Sequence, residues 1–262
     1  MPEAGYTPAE IMTVAAARKL KNGTVCFVGI GLPSAAANLA RITHAPELVL
    51  IYESGTIGAK PDVLPLSIGD GELAETADTV VSVPEIFRYW LQGGRVDIGF
   101  LGAAQIDKFG NINTTVIGAY EKPKVRLPGA GGAPEIATAA KEVAIILKQS
   151  KRAFVEKLDF VTSSGYYPNA SGNGRPGPRG RGPTTVITDL GVMRSDPATR
   201  ELILTAIHPG TTVEQVRDAT GWPLKVAPQL ETTSVPSDQE LGALRDLHSR
   251  TAAAHGNASV AE

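Results

Sequence analysis

Apolar residues along this chain come in two rhythms. Short continuous runs such as TVCFV (24–28), LVLIY (48–52), TVVSV (79–83), VDIGFL (96–101) and VAIIL (143–147) are rich in β-branched side chains. That is the pattern of strands covered on both faces. Helical spacing fills the intervals. Thr7 is placed to cap a first helix, with Pro8 at its first position and Glu10 at its third. Ile11, Met12, Val14, Ala15 and Leu20 give that helix an apolar face, and Asn22-Gly23 stops it. Further helices are expected from Ala35, near 84–91, from about Pro134, after Thr211 or Thr212, and near 237–248. TTVITDLGVMR and ELILTAIHPG read as antiparallel strands joined by turns. Alternating strands and helices predict an α/β fold: an open, mostly parallel sheet flanked by helices, with additional antiparallel strands. Residues 1–250 are read as a single domain and 251–262 as a flexible tail.

Composition narrows the chemistry. Of 262 residues, 42% are hydrophobic and 20% charged, an ordinary globular balance. The formal net charge of -2 provides no general field for nucleic acid or anionic membrane. No segment has the apolar length to span a bilayer, and the N-terminus does not resemble a signal peptide. The lone Cys26 forms no internal disulfide; in VCFVGIG it reads as a small buried hydrophobe rather than a reactive thiol. A cytoplasmic location is expected. The histidines, His44, His208, His248 and His255, show no metal-ligand spacing, so no metal site is expected. GIGLPS lacks the GxGxxG dinucleotide fingerprint, and no GxSxG elbow supports a serine hydrolase.

Several places remain as candidates. Glu53 stands at the carboxyl end of an apolar strand, the edge where open α/β folds place ligands, and Ser54-Gly55 then turn the chain. Such a glutamate can equally be a solvated strand end. Gly129, Ala130, Gly131, Gly132 and Ala133 form either a tight turn or a nest of backbone N–H groups at a helix start, suited to an anion or developing oxyanion. Gly29 and Gly31 punctuate another strand–helix turn. Gln105, Asp107, Asn111 and Asn113 are turn residues, or in the case of Gln105 a contact to a bound thioester or carboxylate. Residues 61–87 hold six acidic residues and no Lys or Arg, the mark of a solvated face or lid. The segment 166–183, with Arg175, Arg179 and Arg181, is a surface loop or a cationic contact to an anionic ligand.

Taken in order, KNGTVCFVGIGLP, LVLIYESG, GFLGAAQIDKFGNINTT, GAGGAPEIA and KRAFVEKLDFVTSSGY resemble the class I CoA-transferase family, in the branch of the beta subunit of glutaconate CoA-transferase. The resemblance runs through nearly the whole chain. It implies that Glu53 is the nucleophile, that the transfer passes through a glutamyl-CoA thioester, and that the acid is a dicarboxylate. It implies that Gly129 to Ala133 serve the oxyanion or the CoA arm. Gly29, Gly31, Ser54, Gly55, Gln105 and Asn111 become possible substrate or CoA contacts. No tightly bound cofactor is implied, since coenzyme A arrives on the substrate. The partners implied are a CoA-transferase alpha subunit in a heterotetramer or higher alpha–beta assembly, an acyl-CoA and a carboxylic acid, without nucleic acid or membrane. Relatives of the same fold that act as CoA-ester hydrolases or decarboxylases replace the glutamate, which this chain keeps. A non-catalytic binding or scaffold subunit is the remaining alternative.

Overall fold

The structure is a computed structural model that describes residues 5–165 and 182–256. The chain forms two compact units, one comprising Met1–Phe100 with Val235–Glu262 and the other Leu101–Ser234.

In the first unit, helix α1 (Pro8–Ala17) starts as its sequence predicts: Thr7 and Glu10 form a reciprocal capping box behind Pro8. Strand β1 (Val25–Val28) is central. It pairs in parallel with β2 (Val49–Ile51) on one side and β5 (Ile98–Leu101) on the other. Helix α2 (Leu32–Thr43) connects β1 to β2 and opens at Gly31, earlier than expected, with Pro33 in its first turn. Beyond β2 the sheet turns antiparallel through β3 (Thr56–Ile57) and β4 (Thr79–Val80). The strand expected over 79–83 is cut short because Pro84 follows, and Pro suits the first turn of a helix better than a ladder. Here it sits in the short helix α4 (Val83–Glu85), which runs on as a π-helical segment, Ile86–Leu91. The acidic stretch contains α3 (Gly71–Glu75), capped by Asp70. Met12, Phe27, Leu39, Leu50 and Ile51 are fully buried and form the centre of this unit.

In the second unit, two short hairpins come first: β6 (Gln105–Ile106) with β7 (Ile112–Asn113), and β8 (Val116–Gly118) with β9 (Pro123–Arg126). Helix α5 (Ala133–Ala139) and strand β10 (Glu142–Ile146) follow. β10 lies parallel to β11 (Pro183–Ile187), which continues antiparallel through β12 (Gly191–Ser195) and β13 (Leu202–Ile207), as the sequence predicts. Helix α6 (Val213–Asp218) carries a second capping box, Thr212 with Gln215, and leads to β14 (Lys225–Thr232), parallel to β13. Phe154 and Trp222 stack at 5.8 Å between centroids in this core. Arg175, Arg179 and Arg181 lie outside the described residues.

The last helix, α7 (Asp238–His255), belongs to the first unit. It is longer than the helix expected over 237–248, so residues 251–255 of the expected tail are helical. Thr251 is the reason in structural terms: it is buried, and its hydroxyl accepts a hydrogen bond from the Leu64 N–H at 2.8 Å. Two ion pairs seat α7 on α1. Arg18 holds Glu240 with two bonds of 2.7 Å, and Arg245 holds Glu10 at 2.6 and 3.2 Å. Together the two units carry the mixed, mostly parallel α/β architecture with flanking helices.

Candidate active site

The parallel strands β5, β1 and β2 of the first unit end on one edge. The chain leaves β1 toward β2 on one side, and the next parallel strand, β5, is laid down on the other. Such a reversal of winding opens a crevice at the carboxyl ends of the strands. Gly29 and Gly31 occupy the loop after β1. Gly29 donates its N–H to the Phe100 carbonyl at 3.2 Å, and a β-carbon at Gly29 would lie 3.2 Å from that same oxygen. Gly31 caps α2 with φ 79°. Both glycines therefore let the backbone turn closely at the edge where β2 delivers Glu53.

Glu53 is half-buried and is the second of the four residues, Tyr52 to Gly55, that join β2 to β3. The loop is closed by Gly55 N–H to Tyr52 O (3.1 Å) and Tyr52 N–H to Thr56 O (3.2 Å). Gly55 takes the left-handed conformation, φ 104°, that a short hairpin loop of this kind requires. It is also clamped from outside. Val81 donates its N–H to Gly55 O at 2.9 Å, and a β-carbon on Gly55 would meet Val81 O at 1.9 Å. The sequence around ESG thus folds into a rigid turn with the glutamate at its start.

Tyr52 anchors the turn from below. Its side chain is fully buried, with the hydroxyl 3.1 Å from Ser34 Oγ and 3.4 Å from Asn38 Nδ2, both on α2. Asn38 Nδ2 also donates to Ser34 O (3.0 Å), and Arg41 Nε donates to Asn38 Oδ1 (3.3 Å). Burial raises the Tyr52 hydroxyl pKa above its ordinary value, while the bonds to Ser34 and Asn38 oppose the rise. Thr56 pairs opposite Tyr52 in the hairpin, following the Ile51–Ile57 register, so their side chains share a face. Ser54 Oγ and Thr56 Oγ1 are buried without a hydrogen-bond partner among the described residues. The sequence alone does not single out Ser34, Asn38, Tyr52 or Thr56. The available signal is the pairing that any short hairpin after LVLIY imposes, which sets Thr56 beside Tyr52.

The other candidates lie in the second unit. Gln105 is buried and its carboxamide is occupied: Nε2 donates to Asp159 Oδ2 (3.1 Å), and Oε1 accepts from Asn113 Nδ2 (2.8 Å) and Asp159 N–H (3.2 Å). Asn111 is likewise engaged, donating to Asp107 Oδ2 (2.8 Å) and accepting from Gly165 N–H (2.8 Å). Burial raises the Asp107 pKa, against the opposing pull of Asn111 and of the Phe109 and Asn111 backbone N–H groups. These amides brace the β6–β7 hairpin in the structure. Gly129 is stitched to the end of that hairpin: its N–H donates to Thr114 O (2.8 Å) and its carbonyl accepts from Thr114 Oγ1 (2.7 Å). Ala133 N–H donates to Ala130 O (3.0 Å). The N–H groups of Gly129 and Ala133 are therefore spent on holding the 129–133 loop. Gly129 (φ 107°) and Gly131 (φ 48°) adopt backbone angles that favour glycine.

Cys26 is fully buried, and burial followed by the nearby Asp97 carboxylate pushes its thiol pKa up, so it does not act as a reactive thiolate. His208 is buried at the end of β13, with Nδ1 2.7 Å from Thr233 Oγ1 and Nε2 2.8 Å from Thr188 O. Among the described residues no group of three or more His, Cys, Asp or Glu side chains is placed to hold a metal. Nor is any helix among them long and apolar enough to cross a membrane.

The family model for coenzyme A transferase matches residues 9–219. The chain is 66% identical to the beta-type subunit of the 3-oxoadipate CoA-transferase of Pseudomonas knackmussii, over 96% of each chain. It is 38% identical to the beta-type subunit of the glutaconate CoA-transferase of Acidaminococcus fermentans, over 86% of each. The crystal structure of glutaconate coenzyme A-transferase from that organism superposes with a TM-score of 0.84 at 34% identity, covering 92% of this chain and 94% of the other. The decarboxylase AibA/AibB superposes at a TM-score of 0.78 with 28% identity, covering 94% and 98%.

Proposed function

The chain belongs to the coenzyme A transferase family as a subunit of the beta type, and on that premise we propose that it moves coenzyme A from an acyl-CoA to a free dicarboxylic acid through Glu53. It is an enzyme subunit that acts with a partner subunit. The observation that supports the role of Glu53 is its position: the carboxyl end of β2, in a turn closed by backbone bonds at Tyr52 and clamped by Val81.

The chemistry follows from a carboxylate held in that way. A Glu53 oxygen attacks the thioester carbonyl carbon, the C–S bond breaks, and CoA leaves as the thiolate, giving a mixed anhydride. The thiolate then attacks the Glu53 γ-carbonyl carbon and releases the donor acid, leaving a glutamyl-CoA thioester. The acceptor carboxylate attacks this thioester, and the released thiolate takes the new acyl group, restoring Glu53. Each step exchanges one activated acyl bond for another, so one difficult transfer becomes several easier ones. Water must be kept out, because it would hydrolyse either intermediate.

The greater identity to the 3-oxoadipate enzyme favours a 3-oxo dicarboxylate over glutaconate as the acid. The proposal includes an alpha-type partner in a hetero-oligomer, a contribution of the 129–133 loop to the oxyanion or the CoA arm through N–H groups other than those of Gly129 and Ala133, which are already bonded, and a cytoplasmic location. The test is a copurified alpha–beta complex supplied with acyl-CoA donors and carboxylate acceptors, with products read by mass spectrometry. Glu53→Gln should abolish exchange with assembly retained, and in the parent complex the Glu53 thioester should be converted by hydroxylamine to the glutamyl hydroxamate, or reduced by borohydride to the alcohol, in each case with release of CoA. Unchanged exchange in assembled E53Q overturns the role. Acceptor-independent release of free CoA, or of carbon dioxide, would instead identify hydrolysis or decarboxylation, the latter known for a protein of this fold.

A further inference from the structure

Coenzyme A brings a strongly anionic nucleotide, a diphosphate with a further phosphate on the ribose, to a chain whose formal net charge is -2. The chain as a whole does not attract it, so a local cationic surface is needed. The β8–β9 hairpin of the second unit supplies one. Lys122, Lys124 and Arg126 are all exposed there, beside a single acidic residue, Glu121. Among the described residues none of these three cations is paired with a carboxylate, whereas Lys60, Lys108, Lys225, Arg245 and Arg250 each are. Asp159, which packs against the hairpin, spends Oδ2 on Gly118 N–H and Gln105 Nε2, both at 3.1 Å. The ladder shifts register at Gly118, and a β-carbon there would lie 3.3 Å from Lys124 Cγ, so the bare glycine lets the lysine stem lie across the strand.

An aromatic ring stands beside these charges. Tyr120, 51% exposed, stacks on Phe160 with 5.4 Å between centroids and 23° between planes. The Arg126 guanidinium lies 4.9 Å from the centre of the same ring, and its Nη2 donates to Tyr120 O at 3.2 Å. The guanidinium is therefore held in place with further N–H groups left to donate. An ordered cation beside an exposed ring suits phosphate recognition together with base stacking. Strand β9 then runs through Leu127 and Pro128 into the 129–133 loop. Leu127 N–H donates to Thr115 O (3.0 Å) and Gly129 N–H to Thr114 O (2.8 Å), so hairpin and loop are one braced piece of backbone.

We propose that the β8–β9 hairpin binds the nucleotide end of coenzyme A, with Lys122, Lys124 and Arg126 recognising its phosphates and the exposed side of Tyr120 taking the adenine. This rests on the reading of the chain as a subunit that handles acyl-CoA. The pantetheine arm separates the nucleotide from the reacting sulfur. A nucleotide site therefore belongs one strand away from the loop proposed for the arm, which is where the turn of this hairpin lies. The nucleotide takes no part in bond making, so its contacts contribute binding energy remote from the reacting carbon.

The test uses the alpha–beta complex with an acyl-CoA and with the matching acyl-pantetheine, which lacks the nucleotide. Lys124→Gln, Arg126→Gln and the double variant remove charge at exposed positions, and Tyr120→Leu removes the ring. In the double variant kcat/KM for acyl-CoA should fall roughly ten- to a hundredfold, and in Y120L about three- to tenfold, while kcat/KM for acyl-pantetheine moves by less than about twofold. The parent's KM for acyl-CoA should rise more steeply with salt than that of the double variant. Adenosine 3′,5′-bisphosphate should compete with acyl-CoA in the parent, and about tenfold more weakly in the double variant. Parent-like kcat/KM for acyl-CoA in the assembled double variant overturns the proposal. So does an equal loss with acyl-pantetheine, which would mark a structural role. Loss of assembly with the alpha-type subunit in both K124Q and Y120L also overturns it, making the hairpin a subunit contact. An active E53Q removes the reading of Glu53 alone. The ratio of acyl-CoA to acyl-pantetheine turnover decides the hairpin in that case too, and equally if the complex proves to hydrolyse its thioester.

Discussion

The Tyr52 hydroxyl lies 3.1 Å from Ser34 Oγ, which ties the residue before the candidate nucleophile to the first turn of α2. Tyr52→Phe keeps the ring and its packing but withdraws one partner from a fully buried polar group. Asn38 retains its bond to Ser34 O, so the loss is partial. The expected outcome is a destabilisation of about 1–2 kcal/mol in urea unfolding. Transfer activity should fall through kcat, because the floor of the Glu53 turn is loosened while the carboxylate remains. Unchanged stability in Y52F would show that the contact carries no weight.

Gly55→Ala meets two obstacles at once. The left-handed backbone at φ 104° costs a non-glycine residue about 1–3 kcal/mol. The new methyl would in addition collide with the Val81 carbonyl, which sits 1.9 Å from its position and is backbone, unable to rotate away. Gly23→Ala is the control, since φ is 73° there but a β-carbon meets nothing within 4 Å. G55A should lose transfer activity and unfold at a clearly lower denaturant concentration than G23A. Equal midpoints for the two variants would contradict the clamp by Val81.

Much of this architecture is legible in the sequence, for identifiable reasons. The first helix start is written in Thr7, Pro8 and Glu10, all local. The parallel strands β1, β2, β5 and β10 announce themselves as continuous apolar runs. What the sequence hides depends on contacts between distant residues. Asn38 looks like a solvent-facing helix residue but is buried under Tyr52. Thr251 looks like the start of a tail but is held by Leu64. Gln105 and Asn111 read either as turn residues or as ligand contacts, and only their bonds to Asp159, Asp107 and Gly165 show how the structure uses them. Glu53 is legible as a strand end, while the hydroxyls beside it are not, because a missing partner has no local pattern.

Acid stability should carry the signature of α7 docking on α1. Burial works to raise the Glu240 pKa, but Arg18, with the Ser237 backbone and hydroxyl, outweighs it and holds the carboxyl down to about 2. Glu10 is shifted in the same direction, chiefly by its bond to Arg245. A carboxylate with a depressed folded pKa stabilises the fold above its ordinary value of 4.5 and loses that contribution as pH falls toward 2. Glu240→Gln should therefore be less stable than the parent at neutral pH and should show a shallower loss between pH 4.5 and about 2. Urea midpoints measured across that range check it, and parallel acid limbs for the two proteins would refute it.

His208 makes a prediction of the same sign, nearer neutrality. Its ring is buried between the ends of β11, β13 and β14, where Thr233 Oγ1 and the Thr188 carbonyl occupy its two nitrogens. Burial lowers its pKa from 6.5, against the opposing influence of the Thr188 carbonyl and Asp189. The folded state thus binds its proton less readily than the unfolded chain. Stability contributed by the neutral ring is complete above pH 6.5 and is lost as pH falls below that value toward the folded pKa. His248 is shifted the same way by burial, so removing one histidine should reduce the slope without abolishing it. His208→Gln should show a smaller loss of stability than the parent between about pH 6.5 and 5, even if its stability at pH 8 is lower from imperfect hydrogen bonding. The decisive comparison is the slope of unfolding free energy against pH. An identical slope in H208Q would mean that the ring stays neutral or charged alike in both states.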